Sequence, residues 1–168
     1  QILIFGLGHI GGSIAKSLSK QKIRVYGEDI SKKTIIYAKK NNIIKGSLSD
    51  IDLSKPYSII FSTPPIVTNK LINKNKDLIK NAVLFTETSS SKNKLTKNTF
   101  INNLENAILS HPIAGNEGSG IDASDIKLFE KKICILSPLK MTSKNSITKA
   151  KKLWESLGSN CIKMDLNS

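Results

Sequence analysis

The chain has 168 residues, 39% of them apolar and 23% charged, enough for one domain with its own hydrophobic core and short for two. No apolar run reaches the ~18 residues a membrane-spanning helix needs, and two cysteines, Cys134 and Cys161, make neither a disulfide framework nor a metal-ligand spacing. The net charge of +13 is almost all lysine spread along the chain, with Arg24 the only arginine, so specific nucleic-acid recognition through arginine forks is excluded as the main role.

The first residues, 2–5, are a short apolar run closed by glycine, the mark of a buried parallel strand rather than a signal peptide. Nothing in the sequence speaks for an oxidising compartment, which makes the cytoplasm the expected location. Residues 10–18 carry small and apolar side chains at helical spacing, and residues 23–27 form a second strand. A helix follows over 31–40, with Ser31 as its N-cap. A short strand is expected at 43–48 and a clear one at 58–62, ending at Thr63-Pro64-Pro65. Next come a helix over 67–79, a strand over 82–86, a helix over 91–104 and a strand over 107–110. A glycine-rich loop covers 111–120, and the chain closes with a strand at 132–136, a helix at 143–157 and a strand at 160–164. Strands alternating with helices of this length predict βαβ units, hence a single α/β domain of Rossmann type: a doubly wound, mostly parallel sheet with helices on both faces.

Gly6-Leu7-Gly8-His9-Ile10-Gly11 is a G-x-G-x-x-G with a strand leading in and a helix leading out. Gly6 allows the tight turn, Gly8 lets a pyrophosphate approach the backbone, and Gly11 lets helix and strand pack closely. The amides of the helix N-terminus, at His9 and Ile10, face the phosphate charge. Asp29, at the end of the second strand, stands where a ribose hydroxyl binds, and its carboxylate repels a 2′-phosphate. The expected cofactor is therefore NAD, with NADP less favoured; Lys32 and Lys33 nearby soften that preference. Ser62, Thr63 and Pro64 end a later strand at the same edge, where they either line the cofactor site or form a rigid turn. No metal site is expected.

Two more loops follow strands on that edge: 86–92 and 110–120. A neutral histidine there can accept a proton from a substrate hydroxyl as hydride leaves the adjacent carbon. By position alone, His111 is as readily a structural residue before a proline.

The stretch His111-Pro112-Ile113-Ala114-Gly115-Asn116-Glu117-Gly118-Ser119-Gly120 resembles the H-P-[MI]-[AF]-G-x-E-x-S-G signature of prephenate/arogenate dehydrogenases. The opening Gly6 to Ala15 is similar to that family's G-L-G-L-I-G-G-S-L-A. The resemblance implies NAD-dependent oxidative decarboxylation of prephenate or arogenate in tyrosine biosynthesis, with His111 hydrogen-bonding the ring hydroxyl. It sets Glu87-Thr88-Ser89-Ser90-Ser91-Lys92 against the family's D-x-G-S-V-K, making Ser90 the active-site serine and putting Lys92, Gly115 and Glu117 in the substrate pocket. Glu87, Ser89 and Ser91 depart from that pattern, which loosens the choice of Ser90 over Ser89. The resemblance also implies a helical domain beyond residue 168 that forms a homodimer, so the present chain is expected to bind NAD yet turn over substrate poorly. Two alternatives stand beside it: a dehydrogenase of the β-hydroxyacid type, and a non-catalytic NAD-sensing module.

Overall fold

The computed structural model describes residues 1–115 and 118–166. In chain order these form β1 (Ile2–Phe5), α1 (His9–Lys20), β2 (Val25–Glu28), α2 (Lys32–Lys40), β3 (Ser58–Phe61), α3 (Pro65–Lys74), α4 (Lys76–Lys80), β4 (Leu84–Glu87), α5 (Thr99–Asn102), β5 (Ile108–Pro112), β6 (Ile133–Pro138), α6 (Lys144–Ser156) and β7 (Asn160–Lys163).

Four strands pair in parallel in the order β2-β1-β3-β4, and three more form β5-β6-β7. A single parallel bridge, Phe85 to Ala107, stitches the two groups side by side. The sheet departs from a uniformly parallel one at β6, which runs antiparallel to β5, with β7 parallel to β6. Alternation along the strands explains why both faces are covered. Ile2, Ile4, Ile60, Leu84 and Ile108 point to one face, where Ile14, Leu18 and Trp154 of α1 and α6 fill the core. Their neighbours Leu3, Phe5, Ile59, Phe61, Phe85 and Leu109 point to the other, against Ile72, Ile79 and Ile101 of α3, α4 and α5. On that side Phe61 packs 4.7 Å from Phe5 and 5.2 Å from Phe85, ring centroid to ring centroid.

Three expected elements differ. The strand expected at 43–48 is only a bridge from Tyr26 to Gly46. The chain then leaves the sheet because Ser47 and Asp50 cap each other's backbone around a 3-10 turn at Leu48–Asp50. The helix expected at 67–79 breaks at Asn75, whose side-chain amide donates to the Leu71 carbonyl at 2.8 Å, and whose backbone leaves helical values. The helix expected at 91–104 shrinks to α5, capped by Asn98. Before it, Lys92 is held at the sheet edge and only Leu95 of residues 91–98 is buried. Among the described residues, no helix is long and apolar enough to cross a membrane.

Candidate functional site

The glycine loop packs as the spacing predicts. Gly6 has φ +89°, a left-handed value, and a Cβ there would run into the Ser62 carbonyl. A Cβ on Gly11 would strike the Gly6 carbonyl, so the first turn of α1 sits directly on the loop. Gly8 differs: a Cβ there would meet nothing within 4 Å. No protein atom requires glycine at that position, but a ligand lying against the backbone would.

Asp29 is tied into the same loop. Its Oδ2 accepts from the Leu7 amide at 2.9 Å and its Oδ1 from the Ser31 amide at 2.8 Å. Ser31 in turn caps α2 by accepting from the Thr34 amide at 3.3 Å. A cavity of 620 Å³ opens above them, lined by Gly6, Gly8, Asp29, Ser62, Thr63 and Pro64 among others. Six of the nine residues expected at the cofactor thus surround one crevice. The other three do not line it: Gly11 serves packing, Ile10 packs against the core, and the His9 ring nitrogens are buried with no hydrogen-bond partner among the described residues. Ile30, fully exposed on the crevice wall with Val67 and Leu71, is a further lining residue. Its one signal in the sequence is its place directly after Asp29.

The second cluster lies where β4 and β5 end. Glu87, the last residue of β4, is fully buried. It ion-pairs with Lys92 and accepts from the Ser89 hydroxyl, from the Ser89 amide at 2.8 Å and from the Ser110 amide at 3.3 Å. Lys92 also donates to the Ser110 carbonyl at 2.6 Å. Burial holds the Lys92 ammonium below the usual lysine value, and the Glu87 charge pulls it back up. The Ser110 hydroxyl meets Thr86 Oγ1 at 2.6 Å and accepts from Trp154 Nε1 of α6 at 3.1 Å.

His111 follows directly, half-buried on β5 and in register with Ile135 of β6. Burial and then the Lys92 charge hold its imidazole below the ordinary value, while Glu87 opposes them. The result favours the neutral ring, the form able to take a proton. Ser90 is exposed and lines a 910 Å³ cavity with Lys92 and Ile135, whereas Ser89 lies in the buried network. Gly115 is clear of neighbours for any added Cβ, and Glu117 lies outside the described residues. Thr86, Glu87 and Ser110 lie in the two loops expected at this edge, where none of them was given a role of its own, and Trp154 was not expected there at all. A glutamate directly after an expected buried strand was the one available signal, since a buried carboxylate demands partners. Burial pushes the Cys134 thiol far up, which removes it as a nucleophile. No group of three metal-ligating side chains occurs among the described residues.

Residues 14–163 match the family model described as prephenate dehydrogenase, nucleotide-binding domain. The chain is 28% identical over 170 residues to a prephenate dehydrogenase of Bacillus subtilis, covering 97% of this chain and 46% of that protein. A prephenate dehydrogenase of Lactococcus lactis subsp. cremoris is 32% identical over 149 residues, 82% of this chain and 40% of its own length. The structure superposes with a TM-score of 0.85 and 33% identity on prephenate dehydrogenase from A. aeolicus in complex with hydroxyphenyl propionate and NAD+, over 98% of this chain and 59% of that one. The chain therefore spans about half the length of the relatives it matches.

Proposed function

Because the chain belongs to the prephenate dehydrogenase nucleotide-binding domain family, we propose that it binds NAD and forms the cofactor half of an enzyme oxidising prephenate or arogenate. The observation that carries the reading is the open space at Gly8 beside the Asp29 carboxylate, within one crevice. The amides at the start of α1 suit a pyrophosphate, and Asp29 suits an unphosphorylated ribose.

The chemistry divides between cofactor and protein. Bound NAD supplies the hydride acceptor. His111, at the strand end on the same sheet edge as the crevice, holds the substrate ring hydroxyl through a hydrogen bond and receives its proton as hydride leaves the same carbon. Carbon dioxide then departs from the quaternary ring carbon; its bonding electrons complete the aromatic ring and push the carbonyl pair onto oxygen, which takes the proton back from His111 to give a phenol. A ring nitrogen kept neutral by burial and by Lys92 is suited to that role. Ser90, which lines the 910 Å³ cavity together with Lys92, hydrogen-bonds the substrate in this reading. The whole protein acts as a cytoplasmic homodimer in tyrosine biosynthesis.

The test is His111→Asn in the full-length protein, assayed with prephenate and with arogenate. Loss of turnover by roughly 100-fold or more, with NAD affinity retained, is the expected result for a proton acceptor. Undiminished turnover would remove His111 from the chemistry.

A further inference from the structure

Glu87 is the one fully buried charged side chain among the described residues, and its partners are Lys92, Ser89 and the residue that precedes His111. A buried carboxylate persists only when paired and fully hydrogen-bonded. Here one oxygen takes the Lys92 ammonium and the Ser110 amide, and the other takes the Ser89 amide and hydroxyl. Lys92 closes the ring by donating to the Ser110 carbonyl. Both backbone groups of Ser110 are therefore held by this pair, the N–H by the carboxylate and the C=O by the ammonium. The Lys92 side chain is only 15% exposed, with two of its three donors already engaged.

We propose that Glu87 and Lys92 are a positioning pair for His111, fixing the strand end that carries it and setting the electrostatic field in which its imidazole takes a proton. Lys92 then acts through His111 rather than as the cation for a substrate carboxylate. Among the described residues, the titratable groups facing His111 are Glu87 from β4, Lys92 from the following loop and Cys134 from β6. The thiol of Cys134 accepts from the His111 backbone N–H. Of the two charges, Lys92 has the larger influence on the imidazole, and it disfavours protonation. The inference rests on the reading of His111 as the proton acceptor.

The experiment is a proton NMR titration of the imidazole rings. The chain has two histidines, so His111→Asn assigns both signals. Lys92→Met strands the Glu87 carboxylate and can unfold the chain, so the double variant Glu87→Gln/Lys92→Met, a neutral pair of similar shape, is run beside it. Removing the pair's charge raises the His111 midpoint in the double variant, and Lys92→Arg, which keeps the cation, returns it towards the wild-type value. An unchanged His111 midpoint in a folded double variant, with the near-ultraviolet signal of Trp154 intact, overturns the proposal. These titrations read the hold on His111 whether or not it takes the substrate proton. Turnover of His111→Asn decides that reading separately.

Discussion

Asp29 has two duties that pull in one direction. Its carboxylate braces the glycine loop through the Leu7 amide and caps the entry to α2 through the Ser31 amide, which fixes it at the crevice wall before any ligand arrives. Asp29→Asn keeps the shape but removes the charge. A charge-assisted hydrogen bond contributes about 1.5–3 kcal/mol, so NAD affinity should fall by roughly tenfold to a hundredfold while discrimination against NADP narrows, as read by calorimetry. Gly6 gives a sharper structural prediction. Its φ of +89° and the Ser62 carbonyl leave no room for a side chain, so Gly6→Ala should cost at least the ~1–3 kcal/mol of a strained backbone in urea unfolding. For His111 the sign of the pH dependence follows from its lowered folded value against 6.5 for the free side chain. Below about pH 6.5 the unfolded chain gains a proton that the folded chain resists, so this residue withdraws stability as pH falls and has no effect well above that value. Urea unfolding of His111→Asn between pH 7 and pH 5 should therefore show a shallower decline than the wild type.

Among the elements, those with strong periodicity were legible before the fold was known. β1 and β3 are buried on both faces and read as unbroken apolar runs, while α1 and α6 carry stripes that meet the core through Leu18 and Trp154. What stayed hidden was set by contacts across long sequence distance. Nothing within residues 91–98 announces that Lys92 will be drawn to Glu87 and Ser110, yet that attachment is what leaves only α5 of the expected helix. The reversal at β6 is equally silent, because an apolar strand reads the same in either direction. Of the site, the glycine loop and Asp29 were readable because their spacing encodes backbone geometry. The Ser110 hub was not, since its partners Thr86 and Trp154 lie 24 and 44 residues away. Trp154→Phe tests that hub: losing the indole donor to the Ser110 hydroxyl should cost about 1 kcal/mol, visible as a lowered urea midpoint. Most of the apolar packing of α6 would remain.

For the molecule as a whole, topology brings two chemistries to one edge. β1, β3, β4 and β5 all run the same way and end on the side where the glycine loop, the Thr63-Pro64 turn and His111 stand. Ser62 and Thr88, 3.1 Å apart through their hydroxyls, join the cofactor crevice to the loop that carries Ser89 and Lys92. The positive surface adds a long-range contribution: a net charge of +13 attracts an anionic dinucleotide, and this part of the affinity should weaken as salt rises. The geometry at Gly8 and Asp29 is a separate, short-range requirement that distinguishes one dinucleotide from another. Calorimetric titration of the chain with NAD and NADP at a salt concentration high enough to suppress the general attraction tests this most directly. NAD should bind with NADP at least about tenfold weaker, and Gly8→Val, which fills the open space, should abolish NAD binding without unfolding the chain. Equal binding of the two dinucleotides, or NAD binding untouched by Gly8→Val, would contradict the assignment of the crevice.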